Sequence, residues 1–282
     1  MSRRRVDLVS IVIRFLVNAA AALTSLTAMG MIGFILVKGI PHIRPSLFAW
    51  NYTSENVSLV PALINTAVMT ALALLIAVPL GVFAAIYLAE YAKRGNRAVK
   101  IIRMASETLS GIPSIVYGLF GFLFFVIALK WGLSMLAGGF TLAIMVLPLI
   151  MRTAEEALLS VPDMYREGSF GLGAGKLRTV FRIVLPAAVP GILAGIILAI
   201  GRVVGESAAL ILTAGTVAKV PASLMKSGRT LAVHMYNLSS EGLHIDQTYA
   251  TAVVLVVVVA GINALSSWAA KKAERAMTGG TQ

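Results

Sequence analysis

Six apolar runs take up most of the chain: about Ile11–Val37, Pro61–Tyr91, Leu109–Leu129, Leu133–Met151, Val189–Leu212 and Tyr249–Ala270. A helix needs roughly 20 apolar residues to cross a bilayer core, and each run is near or above that length. Lipid offers the backbone no hydrogen bonds, so a spanning segment must be a helix or part of a closed barrel. The alternating pattern of barrel strands is absent. The expectation is an all-α membrane protein with six transmembrane helices. Composition agrees: 58% of the residues are hydrophobic and 13% charged, against roughly 25% charged in soluble domains. Gly138 and Gly139 leave the fourth run open to a loop and a shorter helix.

The formal charge of +12 sits in the breaks between the runs. With the N-terminus inside, one face holds Arg3, Arg4 and Arg5, then Lys93, Arg94, Arg97, Lys100 and Arg103. The same face holds Arg152, Arg166, Lys176, Arg178 and Arg182, then Lys271, Lys272 and Arg275. Those sixteen compare with six on the other face: Lys38, Arg44, Lys130, Lys219, Lys226 and Arg229. Basic residues mark cytoplasmic segments, so both termini are expected in the cytoplasm of a bacterial or archaeal cell, with the chain in the (inner) membrane. The apolar stretch after Arg5 outruns the core of a signal peptide, so no cleavage is expected there. Two long breaks, Lys38–Leu59 and Val217–Thr248, then lie outside, each large enough to dock an external protein.

Several chemistries are excluded. The chain has no cysteine, which removes disulfides and thiolate metal sites. His42, His234 and His244 lack metal-ligand spacing and read as polar loop residues; no metal is expected. No basic stripe carries interleaved aromatics, which argues against nucleic acid. Glu155 and Glu156 are adjacent, point about 100° apart on a helix, and cannot act as a facing acid–base pair. The segment Gly171-Leu172-Gly173-Ala174-Gly175-Lys176 imitates a phosphate loop. However, Phe170 stands where its first glycine belongs, and Leu177 where magnesium needs a hydroxyl. This chain is expected to bind no cofactor of its own.

The inner break Arg152–Pro186 is the most informative segment. It reads as a short helix, a glycine-rich turn and a second helix, in which Leu177, Val180, Phe181 and Val184 recur at helical spacing. Within it stand Glu167-Gly168-Ser169, then Gly173, then Phe181, Ile183, Leu185 and Pro186. This spacing resembles the EAA loop of binding-protein-dependent ABC importer permeases, with Gly168 and Ser169 in place of two alanines. The resemblance implies that this loop forms the helix that docks into an ATPase subunit. Further stretches extend it: Gly111 to Gly118, Arg152 to Glu156, Gly201 to Ala209, and Ser227 to His234. Together they are similar to phosphate-specific permeases of the PstA type, whose sister PstC type shares the coupling loop.

The resemblance implies a single transmembrane domain over 1–282 with a core at 61–270 and a coupling loop at about 152–186. The fold implied is that of type I ABC importer permeases. The implied partners are a PstC-like permease, a dimer of PstB-like ATPases that uses ATP and magnesium, and a PstS-like binding protein outside. The alternative is a permease of the same family for another oxyanion or small solute.

Arg202 and Glu206 lie inside the fifth run, where a charge is costly and ordinarily faces a bundle interior or an aqueous path. Four residues apart, they fall on one face of a continuous helix. Two readings follow: a structural ion pair, or a phosphate path in which Arg202 supplies a rigid fork of donors. In the second, Glu206 orients Arg202 and accepts a proton from monohydrogen phosphate. Arg152 and Ser207 complete the expected path, and Arg152 equally suits an inner-face anchor. Gly191–Gly195 and Gly201–Gly205 carry small-residue spacings that suit packing against a second permease.

Overall fold

The computed structural model describes residues 8–93 and 95–278 and, among them, contains helices and no strands. Arg3, Arg4, Arg5 and Arg94 lie outside the described residues. Five helical stretches are long and apolar enough to cross a membrane: Ser10–His42, Val60–Tyr91, Met135–Leu159, Lys176–Val204 and Ile245–Lys272. A sixth span exists only as a bent pair, Arg97–Ser110 with Ser114–Ala128, which meet at 103°.

The helices are α1 (Leu8–Gly39), α2 (Val60–Ile86), α3 (Arg97–Ser110), α4 (Ser114–Gly121) and α5 (Met135–Leu159). They continue as α6 (Asp163–Gly171), α7 (Lys176–Thr179), α8 (Leu185–Val204), α9 (Ala208–Thr213), α10 (Leu231–Glu241) and α11 (Ile245–Thr278). Short π-helical turns prolong α2 to Tyr91 and α4 to Ala128, and join α7 to α8.

Local signals account for the boundaries. Asn96 caps α3 by accepting from the Ala98 amide at 2.9 Å, and Ser134 caps α5 by accepting from Ala137 at 3.2 Å. Pro61 lies in the first turn of α2, where a missing N–H costs nothing. The α3–α4 bend falls at Gly111-Ile112-Pro113, because Pro113 forces its predecessor out of helical backbone. The third run is therefore not one straight helix from Leu109. Gly138 and Gly139 are helical and buried, which closes the loop reading of the fourth run.

The core joins α2, α5 and α8. Met69, Ala73 and Ala77 meet Leu142, Met145, Val146 and Ile150, with Ala199 and Val203 on the third side. Small residues let these helices approach closely, which is how helices gain packing energy where lipid is as apolar as leucine. A side chain at Gly191 or Gly195 would strike Ala157 or Thr153 of α5. That first glycine pair thus serves packing within this chain, not against a second permease.

The two ends of the bundle differ. At one end, α6 and α7 pack against the end of α2, and Lys176 lies 5.0 Å from the Tyr91 ring. This is the end expected to carry the inner basic segments. At the far end, the 38–59 and 214–245 breaks fold together. The Leu59 amide donates to Leu47, Asn65 donates to the carbonyls of Lys219 and Arg229, and His42 lies 3.4 Å from Asp246. The second break is not all loop. It contains α10, whose Leu231 and Leu238 join Leu47, Val57 and Leu59 in a separate apolar cluster.

Candidate functional site

The fifth run does not continue as one helix. α8 ends at Val204, Gly205-Glu206-Ser207 break it, and α9 restarts for six residues. Arg202 and Glu206 are therefore not successive turns of one face. Glu206 is buried, and its Oε1 accepts from the Ala209 amide at 3.1 Å, so it caps α9. Arg202, half-buried in the last turn of α8, forms no ion pair or side-chain hydrogen bond among the described residues. The structural pair is absent, and Glu206 does not orient Arg202. Ser207 is half-buried, and its carbonyl accepts from Ile211 at 3.0 Å.

Arg152 sits elsewhere. It is exposed on α5 and reaches Glu156 at 3.0 Å and Glu107 of α3 at 3.6 Å. Its neighbour Glu155 is buried and accepts from Arg103 Nε at 2.8 Å. Glu155 and Glu156 thus serve different arginines, as adjacent helical positions require. These groups line a cavity of about 260 Å³ between α3 and α5.

The segment that resembles the EAA loop forms α6, a turn and the start of the long helix. On α6, Glu167 and Gly168 are exposed, together with Met164, Tyr165 and Phe170; Leu172 follows at 91% exposure. The chain then turns at Gly173, whose φ of +81° is a left-handed conformation that side chains disfavour. Ser169 is buried, its Oγ 2.8 Å from Thr179 Oγ1, which ties α6 to α7. Ile183, Leu185 and Pro186 are half-buried in the start of the long helix, while Phe181 is exposed. The buried face of this second helix comprises Thr179, Val180 and Val184; Leu177 and Phe181 point outward. The four residues at helical spacing thus divide, Val180 and Val184 inward and Leu177 and Phe181 outward.

Sequence reasoning missed Arg166. Its guanidinium makes five hydrogen bonds. Nε and Nη2 donate to Glu90 Oε1 at 3.1 and 2.7 Å, and Nη1 donates to Asp163 at 3.1 Å. The carbonyls of Val161 and Leu158 accept the remaining two, at 2.6 and 2.9 Å. Arg166 thus fastens α6 to the ends of both α2 and α5. The only sequence signal was an acid, Glu90, at the end of an apolar run.

Residues 77–279 match the family described as "Binding-protein-dependent transport system inner membrane component". The chain belongs to that family. This permease is 32% identical to the "Probable ABC transporter permease protein YqgI" of Bacillus subtilis over 88% of the chain and 90% of that protein. It is 36% identical to "Phosphate transport system permease protein PstA 1" of Mycobacterium tuberculosis over 72% of the chain and 67% of that protein. These relatives bear out the resemblance to PstA-type permeases. Among solved structures, a bacterial alginate ABC transporter bound to its periplasmic protein matches with a TM-score of 0.65. That match has 17% identity over 92% of this chain and 95% of the other. The MetNI methionine transporter matches at 0.59, with 21% identity over 76% and 93%. Both show that this permease has the fold of ABC importer permeases. It is a multi-pass inner-membrane subunit of an importer.

Proposed function

We propose that this permease carries inorganic phosphate, supplying half of the translocation path and the surface that couples it to an ATPase. The observation that carries the reading is Arg202. It is a guanidinium at a helix break in an apolar span, with no carboxylate within ion-pair distance among the described residues, in a chain whose relatives include phosphate permeases. Its planar fork suits phosphate oxygens. Glu206 and Ser207 shape the break beside it, and Arg152 marks the route at the coupling end.

Glu167, Gly168, Ser169, Gly173, Phe181, Ile183, Leu185 and Pro186 form the coupling unit. Its exposed α6 face docks on a PstB-like ATPase dimer in the cytoplasm, where ATP and magnesium are used. A PstC-like permease completes the path, and a PstS-like protein delivers phosphate at the far end. Both termini lie in the cytoplasm. This chain performs no catalysis and binds no cofactor.

The test is uptake of labelled phosphate into proteoliposomes holding the four-part complex, with and without ATP and with sulfate as competitor. ATP-dependent phosphate uptake that excess sulfate leaves intact supports the reading. Uptake of another solute in its place would contradict it.

A further inference from the structure

Three arginines present the same edge, Nε with Nη2, toward the protein interior. On Arg166 that edge is taken by Glu90, and on Arg103 by Glu155. Arg229 differs. It is only 5% exposed, and its Nε and Nη2 are sealed from solvent without a hydrogen-bond partner among the described residues. The Tyr52 ring lies 4.6 Å from its Cζ. An aromatic face offsets part of the cost of a buried cation and leaves the in-plane N–H groups unused.

The surroundings repeat this pattern. His234 is fully buried, packed edge-on to Tyr52 with ring centroids 6.0 Å apart, and its ring meets the Val57 backbone without a well-formed hydrogen bond among the described residues. Thr230 Oγ1, Ser227 Oγ and Asn65 Oδ1 are likewise sealed and unpaired among the described residues. Native interiors leave few such groups, and several within residues 227–234 and the Asn65 that bonds the Arg229 carbonyl call for an explanation. His234 adds no second charge, since its pKa is pulled down to about 3, first by burial and then by the Arg229 charge, with the Val57 backbone opposing. The group is therefore a single fixed positive charge amid neutral donors and acceptors. Beside it, Lys219, Lys226 and Ser227 line an open cavity of about 500 Å³ at the far end. Lysines at such a mouth concentrate anions.

We propose that the Nε/Nη2 edge of Arg229, with His234 beside it on the same Tyr52 ring, receives a small tetrahedral oxyanion at the far end of the bundle, apart from Arg202. The edge matches two oxygens of such an ion. The hydroxyl and ring donors suit the remaining oxygens, and the amide oxygen of Asn65 suits a protonated one. The site is a waiting station between delivery and the path. It rests on the reading of this chain as an oxyanion permease.

The experiment is hydrogen–deuterium exchange on the complex of both permeases and the ATPases, without the binding protein. Inorganic phosphate, sulfate and acetate are compared at equal ionic strength. Phosphate should slow exchange across 50–59 and 227–238 in the unaltered complex, an arm that needs no variant to fold. Arg229→Gln should weaken the apparent phosphate affinity about tenfold or more, whereas Arg202→Leu should leave it intact. Protection by sulfate and not phosphate would keep the site and contradict the phosphate reading. Absence of protection by either ion, in a complex that still takes up phosphate with ATP, would overturn the site and leave that reading standing. Protection by acetate equal to that by the oxyanions would also overturn it, pointing to a partner protein's carboxylate. So would protection that survives Arg229→Gln or disappears in Arg202→Leu.

Discussion

The arginines of the coupling end and those of the path and far end are held in opposite ways. Arg166 is enclosed by Glu90, Asp163 and two carbonyls, and Arg103 rests on buried Glu155. Arg202 and Arg229 have no carboxylate within ion-pair distance among the described residues. An arginine paired with a buried carboxylate is a joint. Its charge is spent inside the fold and it transmits force between helices. An arginine without a carboxylate keeps its charge for something outside the chain. On the proposed reading, the same residue type serves mechanics at one end and anion chemistry at the other.

The largest expected effect tests the joint. Arg166→Leu leaves Glu90 buried and unpaired, which costs about 3–5 kcal/mol. The complex should assemble poorly and unfold early on heating. Arg166→Leu with Glu90→Leu should regain much of that stability yet fail to couple ATP hydrolysis to uptake. Tight coupling in the double variant would mean that the pair only fills space.

At the far end the corresponding handle is pH. His234 is neutral when folded, with its pKa lowered to about 3 from the ordinary 6.5. Between those values the unfolded state binds the proton more readily, so stability is full above about pH 6.5 and falls as pH falls through that window. The loss by pH 5 is about 2 kcal/mol. Thermal unfolding from pH 7 to pH 5 should show this slope, and His234→Leu should flatten it. Equal slopes in the two proteins would remove His234 from the account.

The sequence made the bundle legible and the joints not. Long apolar runs located the spans, because only helices satisfy their own backbone in lipid. The breaks within runs stayed hidden wherever apolar residues continued on both sides. Leu109 precedes the Gly111–Pro113 bend, and Ala208 to Leu212 follow the Gly205–Ser207 break, so hydropathy runs straight through. Gly-Glu-Ser was the available signal for a helix end followed by a capped restart. The EAA-like spacing located α6 and the turn at Gly173. The Glu90–Arg166 joint joins residues 76 positions apart, which no local pattern records. His234 read as loop because its helix lies in a polar-looking break, and only the third dimension places it under Tyr52.

Smaller effects separate the turn from the surface. Gly173→Val forces a β-branched residue into left-handed backbone, which costs about 1–2 kcal/mol, although no atom crowds the position. Substrate-stimulated ATP hydrolysis should be abolished while membrane insertion persists. Gly173→Asn, which tolerates that backbone, should retain most of it. Equal loss in both variants would show that the site excludes any side chain rather than requiring a turn. The smallest effect belongs to Arg152. Its partners are exposed, and exposed pairs contribute little. Arg152→Ala should leave the thermal midpoint unchanged within error, so that any loss of uptake reports on the path.

The central claim is that Arg202 serves the anion and not the fold. The decisive measurement is ATP-dependent phosphate uptake in proteoliposomes by Arg202→Lys and Arg202→Leu, each normalised to assembled complex. Among the described residues Arg202 has no carboxylate to strand, so both variants should assemble and unfold much like the unaltered complex. Uptake should nonetheless fall severely in both, because an ammonium cannot reproduce the planar fork and leucine offers no donor. Near-normal uptake by Arg202→Leu would contradict the account and remove Arg202 from the phosphate route.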